Sequence, residues 1–279
     1  MVVLLALGSA LAYGLSDFFG GLLARRVSPW TVAVVAQAAS TVCVSAVALA
    51  MGIAAAPSDL LWGVLAGLGN GVGGVFLYRG LASARMSVVA PLSAVGAALL
   101  PVIVGVATGE RPTALTWIGV ACAFPAIWLV SRAVASPGTA AAGGSSGVVD
   151  GLLAGLGFGL LFSALGQVPE DAGLWPLALT QATSVLAIIV LAALLRQAWV
   201  PRDRYASRAV VIGGLGALAT TLFLAATHVG LLSVASVLAS LYPAVTVILA
   251  VMVLREHIAR IQGAGLSLAL ASVVLVAVG

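Results

Sequence analysis

Charge is what this chain of 279 residues has least of. Acids and bases make up 7% of it, twelve basic and eight acidic residues, and every basic one is an arginine. A soluble domain carries roughly 25% charged residues. No water-exposed globular surface can be built from so few, and a soluble enzyme is excluded. Disorder needs low hydrophobicity, and 62% of this chain is hydrophobic. Histidine is limited to His228 and His257, without HExxH or related spacing, so no metal site is expected. Cysteine is limited to Cys43 and Cys122, both within apolar runs and outside any redox or metal motif. They read as small core residues. Gly71-Val72-Gly73-Gly74 lacks the Gly-Lys-Ser ending of a nucleotide-binding loop, and no cofactor is expected. The arginines form no dense stripe with interleaved aromatics, so nucleic acid is not an expected partner.

What is present is a succession of long apolar runs, bounded by Arg, Pro, Gly and acids. A spanning helix needs about 20 apolar residues. The runs predict ten transmembrane helices, at about 2–23, 30–51, 59–79, 86–107, 113–131, 149–167, 173–195, 207–227, 231–253 and 259–278. The chain reads as an all-α integral membrane protein with the lipid bilayer as solvent. Glycine is frequent inside the runs, and in lipid it lets helices approach closely. Gly67, Gly69, Gly71, Gly73 and Gly74 mark the third span as a close-packing helix, or as a flexible one lining a pathway. Met1 leads straight into apolar residues, with Arg25 and Arg26 following. This is the reverse of a cleavable signal peptide. With ten spans, eleven arginines fall on one side of the membrane and Arg111 alone on the other. The positive-inside rule places the eleven in the cytoplasm and both termini outside.

Residues 132–148, rich in Ala, Gly and Ser, read as a flexible linker at mid-chain. Shifting the first half by 146 residues sets Ser87-Val88 on Ser233-Val234, Leu92 on Leu238, Glu110 on Glu256 and Gly119 on Gly265. Gln37, Ala38 and Ser40 match Gln181, Ala182 and Ser184 with a two-residue gap. Residues 1–131 and 149–279 are therefore two five-helix repeats. Five is odd, so the second enters the membrane inverted. Inverted repeats are an architecture of secondary transporters, with the substrate site near the midplane between the halves.

At these residues the chain resembles the ten-helix drug/metabolite transporter superfamily, in its EamA-type branch. The resemblance covers nearly the whole chain. Its second half carries Ser233-Val234-Ala235-Ser236-Val237-Leu238, then Leu241-Tyr242-Pro243, then Leu254-Arg255-Glu256. The first half carries Ser87-Val88-Val89-Ala90-Pro91-Leu92 and Gly109-Glu110-Arg111. Ala12-Tyr13-Gly14-Leu15-Ser16-Asp17-Phe18 resembles the opening of the family's first helix, with Tyr13 where a Trp often stands. The family's proline thirteen residues before the glutamate is Pro243. Its first-half equivalent is Ala97, with Pro101 one turn later, which puts a hinge there in doubt. The resemblance implies a secondary transporter of small organic metabolites, amino-acid-like or drug-like. It also implies export by alternating access in the plasma membrane, the inner membrane if the source is bacterial. One protomer suffices for a pathway, and a dimer stays open. The alternative is a flippase for a lipid-linked head group, which calls for a lateral apolar opening and a basic head-group pocket. A membrane enzyme would show clustered polar residues at one depth and a catalytic set, and the pattern shows neither.

Asp17 reads as the only acid well inside a span, and a carboxylate in lipid is costly. Two readings stand: a group that couples transport to protons or binds a cationic substrate, or an ion pair with an arginine such as Arg25. Gln37 and Gln181 hold matching places in opposite halves, as cross-helix hydrogen bonders or opposite walls of one cavity. Asn70, Tyr78 and Tyr242 add hydrogen-bonding groups on apolar bodies; Tyr78 also suits a membrane interface, and Tyr242 beside Pro243 is the better pathway candidate. Glu110 and Glu256 read as helix-capping acids beside a helix N-terminus, with Pro112 in the first turn after Glu110.

Overall fold

The structure, a computed structural model, describes residues 1–83, 86–109, 111, 113–115, 117–119, 121–122, 125–126, 129, 144–255 and 260–278. Its helices are α1 (Val2–Ala24), α2 (Pro29–Met51), α3 (Pro57–Ser83), α4 (Met86–Ala107), α5 (Gly144–Leu165), α6 (Trp175–Leu194), α7 (Ala209–His228), α8 (Leu232–Ala239), α9 (Tyr242–Leu254) and α10 (Arg260–Val278). The described residues between Ala114 and Leu129 are helical too, and no strand occurs among the described residues. Among the described residues, eight segments are long and apolar enough to cross a membrane, with α8 and α9 counting together as one. Leu4, Val42, Leu186 and Met252 lie exposed on their outer faces, as side chains facing lipid do. The chain is a multi-pass, all-helical membrane protein.

Local sequence sets the helix ends. Pro29 occupies the first turn of α2, where its missing N–H costs nothing. Gly52, at φ +65°, closes the same helix in the left-handed conformation that glycine adopts freely. Two boundaries differ from the sequence reading. Helix α5 begins at Gly144, so the last residues of the expected 132–148 linker are its first turn; residues 132–143 lie outside the described residues. The expected span at 231–253 is two helices, parted at Ser240-Leu241. Pro243 explains the parting, because proline removes a backbone donor and its ring clashes with the carbonyl four residues back. Helix α4 holds Pro91 and Pro101 without a break, so a proline break is seen in the second half only.

Each helix of one half packs on helices of the other. Helix α3 lies chiefly against α5 and α6, and α1 and α2 lie against α7. The α3–α5 seam is antiparallel: Gly80 faces Asp150, Gly73 faces Phe158, and Gly69 faces Leu161. A Cβ on Gly157 would sit 2.5 Å from the backbone nitrogen of Gly73, so only glycine permits this approach. Helices α4 and α5 run parallel instead, with Leu92 against Gly151, Gly96 against Gly155 and Leu100 against Gly159. Ser28 Oγ donates to the Ala198 carbonyl at 2.6 Å, which puts the α1–α2 and α6–α7 loops on one side of the bundle. Ile53 packs on Gly173, which puts the α2–α3 and α5–α6 loops on the other.

Candidate functional site

Asp17, Gln37, Asn70 and Gln181 converge on one chamber. Helices α1, α2, α3, α5, α6 and α7 enclose it, and Tyr13, Ser16, Ser40, Tyr78 and Thr220 also line it. Its volume is about 30 Å³. Both halves of the chain supply walls.

One wall is a closed hydrogen-bond chain. Asn70 Nδ2 donates to Gln181 Oε1 at 3.1 Å, and Gln181 Nε2 donates to Thr220 Oγ1 at 3.0 Å. Thr220 in turn donates to the Gly216 carbonyl at 2.9 Å. Gln181 thus ties α3 to α7 across the chamber. The facing wall is open. Gln37 Oε1 and the Tyr13 hydroxyl are buried without a hydrogen-bond partner. Glycine explains the contrast. Gln181 bonds Asn70 and Thr220, and the positions 146 residues from these are Gly216 and Gly74, which have no side chain to offer Gln37. Removing those two side chains leaves both the unpartnered amide and the space.

Asp17 is 5% exposed and forms no ion pair with any described residue. The expected pairing with Arg25 is not made, so the buried carboxylate faces the chamber. One further reading is corrected. Tyr78 is not an interface residue: its ring lies against Gly20, one turn from Asp17, where a Cβ would displace it. A second buried acid lies near the end of a span. Asp150 in α5 is 1% exposed and forms an ion pair with Arg79 of α3, whose guanidinium also covers the Phe76 ring at 4.5 Å. Arg79, the last residue of the third span as read from the sequence, lies one turn inside the end of α3.

Tyr242 stands one ring behind the chamber. It is buried in the first turn of α9, its centroid 6.1 Å from Tyr13 and 6.3 Å from Phe158. Its hydroxyl is hydrogen-bonded to Ser93 of α4. Pro243 shapes the break that sets this ring inward. Glu110 and Glu256 lie outside the described residues. Tyr13, Ser16, Ser40 and Thr220 are the chamber residues that sequence reasoning missed. The signal was there in Thr220-Thr221 and Ser16-Asp17, polar pairs deep within spans, where hydroxyls seek partners across helices.

No curated protein sequence matches the chain. A solved structure, described only as a crystal structure of a protein, superposes on 98% of this chain and 95% of its own with a TM-score of 0.66. At 17% identity that likeness carries the fold alone. The EamA-like transporter family matches residues 1–132 and 145–278. With that match across nearly its full length, the chain belongs to the EamA-like transporter family, within the drug/metabolite transporter superfamily, and is a membrane transporter of that type.

Proposed function

We propose that this transporter exports small organic metabolites from the cell across the plasma membrane. It does so by alternating access between two inverted five-helix halves, residues 1–131 and 149–279, joined by a linker. A proton exchanged at Asp17 drives the cycle, and one protomer forms the pathway. The observation that carries this reading is the chamber: a buried carboxylate without a cationic partner among the described residues, between helices of both halves. A charge there is unfavourable, so the group favours exchange of a proton each time the chamber opens.

Packing and parity support the ten-span, inverted arrangement. Because α4 and α5 run parallel, the chain returns across the membrane once between Ala107 and Gly144. The helical residues described at 114–129 fall in that interval. Matching hydrogen bonds also recur in the two halves. Ser40 Oγ donates to the Gly213 carbonyl at 2.5 Å, and its counterpart Ser184 Oγ donates to the Gly67 carbonyl at 3.0 Å. Packing partners exchange in the same way, α3 on α5 with α7 on α1, and α3 on α6 with α7 on α2. A sequence in two orientations has two similar-energy arrangements, one open to each side, and alternating access follows from that symmetry. The head-group flippase calls for a basic head-group pocket, and among the described residues no arginine lines either cavity.

Flux into proteoliposomes across a metabolite panel, with and without a pH gradient, tests the reading. An acidic lumen should accelerate solute entry by exchange for protons. Asp17→Asn removes the exchangeable proton at little change in volume, and should abolish the gradient's effect. Gradient-driven flux surviving in Asp17→Asn would refute the coupling role.

A further inference from the structure

The chamber at Asp17 is too small for an organic solute, since its volume of about 30 Å³ is far below the roughly 300 Å³ at which small-molecule pockets begin. A second cavity of about 290 Å³ lies between α4, the α8–α9 break and α10. That is close to this lower bound. Its walls pair off across the two halves at the 146-residue shift: Ala94 with Ser240, Ala98 with Ala244, and Val102 with Ile248. A cavity built from matching positions lies between the halves, where a site offered in turn to each side must lie.

We infer that this cavity is the solute site and that it takes an uncharged, hydrophobic small molecule admitted from the bilayer. The inference rests on the transporter reading above and selects drug-like over amino-acid-like solutes. The chemistry of the walls carries it. Among the described residues no charged one lines the cavity. Of its three serines, Ser240 and Ser272 already donate their hydroxyls to the carbonyls of Ser236 and Gly119, which leaves Ser267 as the polar group on offer. A zwitterion placed here would lose its hydration and meet no opposite charge among the described residues, which is strongly unfavourable. Ile248 and Leu270 line the cavity and lie exposed on the outer surface, so it opens sideways to lipid. A phospholipid is a poorer occupant, because no arginine among the described residues lines the cavity to hold its phosphate.

Tyr242 divides this cavity from the proton chamber. Its neighbours Leu241 and Pro243 line the apolar side, while its ring packs on Tyr13 of the chamber wall. A solute that displaces α9 therefore moves the ring behind Asp17, which gives a physical route from solute binding to proton exchange.

Photolabelling of the full chain in proteoliposomes tests the site without any flux. The reagent is trifluoromethyl-iodophenyl diazirine, an apolar carbene precursor, and labelled residues are mapped by mass spectrometry. Label is expected on Ala94, Ala98 and Ala244 as well as on the outward Val42. Excess naphthol should lower the cavity label several-fold and leave Val42 unchanged, while phenylalanine should lower neither. Ala98→Trp, and Ala244→Leu from the opposite wall, fill the space and should lower cavity label with Val42 label retained as the sign of a folded bundle. An unlabelled cavity, or label that naphthol does not lower, overturns the proposal. Label at these residues from a phosphatidylcholine carrying a diazirine chain overturns it in favour of a lipid occupant. Competed label without gradient-driven flux would instead leave the binding site standing and remove the transport reading.

Discussion

Two glutamines at matching places have opposite fates, and the difference is decided by single neighbours. Gln181 is bonded at both ends, to Asn70 and Thr220. Gln37 faces Gly74, and its amide oxygen is buried without a partner. A buried polar group that loses its partner costs about 1–3 kcal/mol, whereas an amide already unpartnered has little left to lose. Gln181→Leu should therefore destabilise the purified protein by about 1–3 kcal/mol, and Gln37→Leu should leave stability near the parent or raise it. Denaturation in a graded detergent series reads both, and equal losses would contradict the asymmetry. At this scale the sequence was legible where polarity in lipid is rare. Asp17, Gln37, Asn70 and Gln181 stood out for that reason, and all four line the chamber. Tyr78 misled because a tyrosine suits an interface equally well, and only Gly20 reveals that its ring lies inside. Whether an amide finds a partner depends on the facing helix, which one span of sequence does not contain.

Helix by helix, the spans were legible from length and hydropathy, and their mutual fit was not. The starts and ends of α1, α2 and α4 fall within a residue or two of the apolar runs. The break at Ser240-Leu241 was half visible in Pro243, but Pro91 and Pro101 sit in an unbroken α4, so proline alone does not decide where a helix parts. The ion pair between α3 and α5 was missed because Arg79 and Asp150 each lie near the end of an apolar run, where charge is ordinary. Packed together, they behave as a partly buried pair, with Asp150 at 1% and Arg79 at 37% exposure. Removing one member of a buried pair strands the other, while replacing both with apolar residues relieves the desolvation of each. Arg79→Leu should thus cost more than about 1 kcal/mol, the ceiling for an exposed pair. Arg79→Leu with Asp150→Leu should recover much of that loss. A double variant no more stable than Arg79→Leu alone would show that Asp150 is not stranded by the single change.

The whole molecule has a side as well as a fold, and the arginines define it. The hydrogen bond from Ser28 to Ala198 joins the loop of Arg25 and Arg26 to the loop of Arg202, Arg204 and Arg208. Arg79 lies in α3 near that same end. Glu170 and Asp171 lie in the α5–α6 loop on the opposite side, next to Ile53. On the proposed ten-span arrangement, retention of arginine in the cytoplasm is expected to put the loop at 196–208 inside and both termini outside. Alkaline phosphatase fused after Gly279 should be active and a fluorescent protein there should be dark. The same pair of reporters inserted between Arg196 and Arg202 should give the reverse. Swapped results at both positions would invert the molecule in the membrane and leave the chamber, the apolar cavity and the two halves untouched. Identical results at both positions would be the more damaging outcome. They would place an even number of crossings between the α6–α7 loop and the C-terminus, whereas two five-helix halves require three, formed by α7, by α8 with α9, and by α10.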